Sequence, residues 1–280
     1  MGKTVINIIE DTFSRKFSTA KELSILLGVD SFTYIITDTD KKVQVLKSFA
    51  LDTKGNISLV VKALKNIFSE EKALKSPFNS ICLGIENGYT VLIPASFYTE
   101  TQRNSYLQQL MAIDEKIAVF TNDLPAQEVK NVFGVPTALL DFFEAYLPGF
   151  HILHFSTLFI KAVEPFALTQ SNTQVYLYIR PNDIRIVIFD KGRLLYTNHF
   201  ICQTEKDVLY YVMLALEQQG LDNKTTPVFI MGQLLEVSEL YHLLYRYIQN
   251  ISFFEEKTKC KPGDKLSKHP SWFYFDILSF

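Results

Sequence analysis

Apolar and polar positions along the chain change period twice, in the same order each time. Leu23 to Val29 is almost wholly apolar and runs into the turn residues Gly28-Val29-Asp30-Ser31. Phe32 to Asp38 predicts a second strand, and Thr39-Asp40-Lys41-Lys42 a polar turn. Val43 to Leu51 alternates apolar with polar residues, as a half-buried strand does. The period then becomes helical: Ile57, Val60, Val61, Leu64, Ile67 and Phe68 fall on one face, behind Gly55-Asn56 as a start signal.

The order returns in the second half. Thr173 to Ile179, Ile184 to Phe189 and Arg193 to Ile201 predict three strands, joined by Pro181-Asn182-Asp183 and Asp190-Lys191-Gly192. Thr204, with Asp207 three residues on, opens a helix in the manner of a capping box, and Gly220 stops it. Asp190-Lys191 lies 150 residues beyond Asp40-Lys41, and Phe200 lies 151 beyond Phe49. A near-constant offset with a repeated strand–strand–strand–helix order implies one unit copied.

Between the copies, Ser80 to Ile85 and Thr90 to Pro94 predict strands joined as a hairpin at Asn87-Gly88. Thr99-x-x-Gln102 predicts the cap of a helix carrying Leu107, Leu110 and Met111, and Lys116 to Phe120 a short strand. Pro136 to Tyr146 predicts a helix, Phe150 to Phe155 a strand, Val228 to Met231 a strand, Ser238 to Ile248 a helix and Ile251 to Phe254 a last strand. The fold class expected is α/β, with mixed sheets carrying helices on their faces.

The 280 residues are 48% hydrophobic and 21% charged, which provides a core and excludes disorder. The net charge is −2, without a long one-signed run, so nothing in the composition calls for nucleic acid or an anionic membrane. The lysines from Lys257 to Lys268 alternate with Glu255, Glu256 and Asp264, as on a solvated surface segment. Three scattered cysteines, Cys82, Cys202 and Cys260, indicate reduced thiols and a cytoplasmic location. The longest apolar run, Phe150 to Ile160, is far short of the ~20 residues of a membrane span, so no membrane insertion is expected.

A duplicated βββαβα unit at this length resembles the actin-like ATPase superfamily, whose lobes have a ribonuclease H-like fold with a cleft between them. Three local matches carry the resemblance. Gly28-Val29-Asp30-Ser31-Phe32-Thr33 is similar to the first phosphate loop, G-I-D-x-G-T. Ile93-Pro94-Ala95-Ser96-Phe97 followed by Thr101-Gln102-Arg103 is similar to a stretch of the chaperone ATPases, and Phe229-Ile230-Met231-Gly232-Gln233 to the adenosine-loop strand. Within the superfamily the chain looks closest to a bacterial family of unknown function, near the actin-like proteins of division and type IV pilus assembly. The resemblance implies a first lobe over residues 1–168, with a small insertion at about 114–148, and a second lobe over 169–280 that ends in an aromatic tail.

The resemblance would place vestigial nucleotide-site positions at Asp30, Phe32, Thr33, Arg180, Asp183 and Gly232. Phe32 stands where the family has glycine, and its ring is expected to occupy phosphate space. The second loop reads Arg180-Pro181-Asn182-Asp183, without glycine and with a proline that has no N–H. Only Gly232 remains of the adenosine-loop glycine pair. These departures imply a non-catalytic, actin-like pseudo-ATPase that scaffolds another protein and uses no cofactor. The alternative is a nucleotide-binding actin-like ATPase with divergent phosphate loops.

No other chemistry competes with this. His151 and His154 sit three apart on a strand and so point to opposite faces, which excludes a shared metal; no metal site is expected. Asp30 reads as a turn residue or a ligand to a metal-bound water, and Arg180 with Asp183 as a turn salt bridge or an anion site. The terminal Trp272-Phe273-Tyr274-Phe275 and Ile277-Leu278-Ser279-Phe280 either pack on the second lobe or plug into a partner.

Overall fold

A computed structural model of the chain describes residues 2–13, 21–110 and 116–280. Two compact units emerge, one of Met1–Phe159, Lys259–Lys268 and Ile277–Phe280, the other of Ile160–Thr258 and His269–Asp276. The division falls at 159/160 where the sequence suggested 168/169, and the last residues are divided between the units instead of belonging to the second alone.

The strands of the first unit are β1 (Lys3–Ile9), β2 (Glu22–Leu27), β3 (Ser31–Thr37), β4 (Val43–Ala50), β5 (Ser80–Ile85), β6 (Thr90–Pro94), β7 (Ile117–Leu124), β8 (Val129–Pro136) and β9 (His151–His154). Six of them form a mixed sheet in the order β1-β4-β3-β2-β5-β9. One face receives helix α1 (Ile57–Glu70), which begins where the Asn56 side chain accepts the Leu59 N–H. Val60, Ala63, Leu64, Ile67 and Phe68 of α1 are buried with Leu23, Ile25, Leu27, Phe32, Tyr34 and Ile36 of the sheet. The helical and strand periods read from the sequence meet here, and each fully buried Leu, Ile or Phe stabilises the fold by about 1.5–3 kcal/mol.

The inserted part is a three-stranded antiparallel sheet, β6-β8-β7, with helix α2 (Arg103–Gln108) over it. It runs from Thr90 to Pro136, earlier than the 114–148 expected. The predicted β5–β6 hairpin does not form, because both edges of β5 are occupied, in parallel, by β2 and β9. Asn87 redirects the chain instead: its Oδ1 accepts the Tyr89 N–H at 2.9 Å and its Nδ2 donates to the Gly134 carbonyl at 2.9 Å. Thr99 does not cap α2 through its hydroxyl; its own N–H donates to the Tyr106 hydroxyl, and the helix starts at Arg103. Leu107 of that predicted face is buried and Leu110 exposed, while Met111 lies outside the described residues. Helix α3 (Thr137–Tyr146) returns the chain to the main core through Leu139, Phe142 and Phe143.

After helix α4 (Phe155–Ala167), the second unit has strands β10 (Thr173–Ile179), β11 (Asp183–Asp190), β12 (Arg193–Ile201), β13 (Val228–Gly232) and β14 (Ile251–Phe253). Their order, β12-β11-β10-β13-β14, repeats β4-β3-β2-β5-β9 of the first unit. Helices α5 (Glu205–Gln218) and α6 (Glu239–Tyr247) cover one face, and Thr204 and Asp207 form the capping box that opens α5.

The repeat holds at single residues. Lys41 and Lys191 both have positive φ, 61° and 49°, in the equivalent turns that follow β3 and β11. The ladder β3–β4 shifts register between Ile36 and Thr37, and β11–β12 between Ile188 and Phe189. Phe32 pairs with Phe49, and Ile184 with Phe200. Phe49 and Phe200 both face the helix-covered side of their sheets.

The terminal segment is ordered. Trp272 stacks on Phe253 at 4.4 Å and donates its ring N–H to the Leu234 carbonyl, while Phe275 packs edge-on to Phe254. In the first unit, a Cβ on Gly84 would lie 2.4 Å from the Phe280 ring, so only glycine admits that contact. The lysine-rich stretch is partly anchored as well: the buried Glu10 carboxylate accepts the backbone N–H groups of Lys265 and Leu266.

Candidate functional site

Each unit has one strand junction where an actin-like protein would cradle phosphate. In the first unit the junction is the turn Gly28–Ser31, closed by the Gly28 N–H to the Ser31 carbonyl at 2.9 Å. Asp30 is half-buried, and its carbonyl accepts the Leu51 N–H at 2.7 Å, which fits a turn residue. Thr33 faces away from α1 and exchanges a 2.8 Å hydrogen bond with Ser48 across the ladder.

Phe32 corrects the sequence reading. Its ring is fully buried, but among the core aromatics Tyr34, Phe49 and Phe68, at centroid distances of 6.0, 6.1 and 5.9 Å. Strand alternation turns residues 32, 34 and 36 toward α1. The ring is therefore part of the core and does not stand in the phosphate loop.

In the second unit the junction is Arg180-Pro181-Asn182-Asp183. The Arg180 N–H is committed to the Asp183 carbonyl at 2.9 Å and Pro181 has no N–H. Arg180 Nε lies 4.0 Å from one Asp183 carboxylate oxygen, and His199 Nε2 3.3 Å from the other. Arg185 is 3% exposed and pairs with His199 in the β11–β12 register. Burial pushes the Asp183 carboxyl up, but the His199 contact and the charges of Arg180, His199 and Arg185 outweigh it and hold the carboxyl below its ordinary value. The sequence marked Arg180 and Asp183; Arg185 and His199 escaped it, because their meeting depends on strand register.

Gly232 has φ +97°, and a Cβ there would lie 2.2 Å from the Ile179 carbonyl oxygen. Close approach of backbone to backbone thus accounts for this glycine without a nucleotide. His154 is buried, with Nδ1 accepting the Ser156 N–H at 3.1 Å and Nε2 3.3 Å from the Asn87 carbonyl. The three cysteines are free, with thiols pushed up to about 11 by burial. Among the described residues no group of three or more His, Cys, Asp or Glu could hold a metal, and no helix is long and apolar enough to cross a membrane.

A cavity of about 880 Å³ lies within the first unit. It is bounded by the Leu27–Val29 turn, the start of α1, the Ile85–Tyr89 connection, Lys116–Ile117 and the start of α3. Exposed Val29 and Tyr89 stand at its rim, while the buried Glu86 donates its N–H to the Leu27 carbonyl at its floor. Nothing in the periodicity announced this groove, because the inserted sheet forms one of its walls.

Two mixed sheets of repeated strand order, each with helices on a face, match the actin-like ATPase fold. A crystal structure from Bacteroides thetaiotaomicron VPI-5482, of a protein with actin-like ATPase fold and unknown function, matches with a TM-score of 0.78 and 23% identity over 87% of this chain and 94% of that one. The PilM–PilN type IV pilus biogenesis complex matches with a TM-score of 0.56 and 11% identity over 92% of this chain and 96% of that one. The chain belongs to the family described as protein of unknown function, DUF3822, whose model matches residues 10–251. A search of curated proteins returned no match.

Proposed function

We propose that this chain is a non-catalytic actin-like protein that scaffolds another protein. The observation that carries the reading is the second-unit junction. A phosphate cradle requires converging free backbone N–H groups; here one is committed, one is missing, and a buried carboxylate held ionised stands beside them. That carboxylate repels a phosphate, and the Arg180 guanidinium already faces it. Gly232, the one adenosine-loop glycine left, has a packing reason to be there.

The partner side rests on the groove of the first unit. A cavity of about 880 Å³ with an apolar rim suits a short peptide segment better than a flat surface does. The matched pilus assembly structure is itself a complex of two proteins, which supports the reading by analogy of fold.

Thermal unfolding with and without millimolar Mg·ATP tests the first half. A ligand at about 100 times its Kd stabilises by roughly 2.7 kcal/mol, a rise of several degrees in Tm for a chain this size. No shift is expected; a saturable, magnesium-dependent rise overturns the non-catalytic reading. For the partner side, a photo-crosslinking residue in place of Tyr89 is expected to capture a protein in cells that the same residue at exposed Tyr245 does not. Val29→Glu should abolish that capture, and equal capture from both positions removes the groove from the proposal.

A further inference from the structure

The repeat makes an asymmetry visible at the sheet edges. In the first unit the outer edge of β4 is paired along its length by β1, antiparallel, from Lys3 opposite Ala50 to Ile9 opposite Val45. The equivalent strand of the second unit is β12, and there the sheet ends. The Cys202 N–H points inward to the Asn182 carbonyl, and alternate residues of an antiparallel strand turn their backbone groups to opposite edges. Thr197, His199 and Ile201 therefore present theirs outward, and Leu195, at the register shift, is placed outward by its equivalent in β4, Gln44, whose carbonyl accepts the outer Glu10 N–H. Asn198 Oδ1 accepts the His199 N–H at 2.8 Å; the outward groups of the other three meet no strand among the described residues. An open edge of this kind is a template for another strand.

The side chains of this edge are not those of an edge kept solvated. Leu195 and Ile201 are 50% and 73% exposed. Tyr196 and Phe200 are half-buried, and Phe200 stacks on Tyr211 at 4.3 Å, beside exposed Tyr210. From residue 195 to 201 the strand reads Leu-Tyr-Thr-Asn-His-Phe-Ile. About Asn198 that is its own mirror in character: apolar, aromatic, polar, polar, polar, aromatic, apolar.

We propose that β12 pairs antiparallel with β12 of a second copy of this chain, about a two-fold axis at Asn198. A two-fold contact joins one patch to itself, so residue i meets j and j meets i. With the axis there, Leu195 meets Ile201 and Thr197 meets His199. These are the four outward-facing backbones, and they fall at the hydrogen-bonded positions of the new ladder. Tyr196 meets Phe200, and Asn198 its own copy, at the closer non-hydrogen-bonded positions. Both exposed aliphatic residues gain an apolar partner, two aromatic cross-strand pairs form, and Arg193 lies beyond the paired segment, so no like charges meet. Two five-stranded sheets become one of ten strands. The register shift at Leu195 falls at the end of the new ladder: at Gln44, the equivalent residue of β4, the ladder with β1 stops at Val45, but the Gln44 carbonyl still accepts the Glu10 N–H at 2.9 Å. The proposal is independent of the groove and of the fate of the phosphate loops.

Sedimentation of the full chain from low to several hundred micromolar tests it. A monomer–dimer equilibrium is expected, and Ile201→Lys, at an exposed position the fold tolerates, should raise the dissociation constant about tenfold or more. Asn198→Cys reads the register directly: Cα atoms at a non-hydrogen-bonded antiparallel pair lie about 4.5 Å apart, within disulfide range. Copper-phenanthroline oxidation should cross-link that variant into a dimer, while Tyr210→Cys stays monomeric under denaturing conditions. A chain that remains monomeric throughout, with Asn198→Cys uncross-linked, overturns the proposal and leaves the edge to a different partner. A dimer unaffected by Ile201→Lys overturns it equally.

Discussion

The two strand junctions of the repeat have one backbone and two chemistries. Ser31, Thr33 and Ser48 of the first unit occupy the register positions that Asp183, Arg185 and His199 occupy in the second. Across the first ladder a pair of hydroxyls share one hydrogen bond. Across the second lie an arginine and a histidine, with a carboxylate held ionised beside them. On the opposite face the two units agree: Phe32 with Phe49 and Ile184 with Phe200 form the layer under the helices. The helix-covered face preserves the fold, and the other face is where the copies have diverged. A buried charge needs a paired, hydrogen-bonded environment, and the buried Arg185 stands near the Asp183 carboxylate, which its charge helps to hold ionised.

The largest effect expected of any change to this comparison is at Phe32. Phe32→Gly removes a ring in contact with three other aromatics, and such truncations cost about 3–5 kcal/mol. The glycine adds roughly 0.5–1 kcal/mol of backbone entropy. Chemical denaturation should show the loss without any gain of ATP binding. A variant as stable as the parent would mean that the ring is not part of the core.

Next comes Asp183→Asn, which leaves the charges of Arg180 and Arg185 without their nearby carboxylate; about 1–3 kcal/mol at neutral pH is expected. The folded-state pKa of Asp183 lies below its unfolded value. Its contribution is therefore complete above the unfolded value, near 4, and is lost as pH falls through the folded one. Stability curves of parent and variant should separate at neutral pH and begin to close only as pH falls below about 4, toward the lower folded-state value. A constant gap down to strong acid would show that the carboxylate charge is not what matters.

The smallest effect belongs to the first junction. Thr33→Val removes one hydroxyl from the pair with Ser48 and should cost about 0.5–1.5 kcal/mol, with no dependence on pH. If it costs more than Asp183→Asn, the contrast between the two junctions fails.

Much of this protein was legible locally. The strand and helix periods of both copies, the Asn56 start of α1, the capping box at Thr204 and the turns at Lys41 and Lys191 lie where their residues place them, because each depends on neighbours a few positions away. From these alone the duplication and the fold class follow. What tertiary structure decided is non-local. β1 exists because β4 offers it an edge, and β8 because β6 and β7 flank it; neither segment has a strong period of its own. The fate of Asn87-Gly88 depended on whether β5 had an edge to give. Phe32 occupies a loop motif by sequence but a core by geometry, since strand alternation and not motif position aims a side chain. Arg185 and His199 are fourteen residues apart and meet only through register. A sequence states what each segment prefers by itself, and partners across a sheet are chosen only when the whole chain is folded.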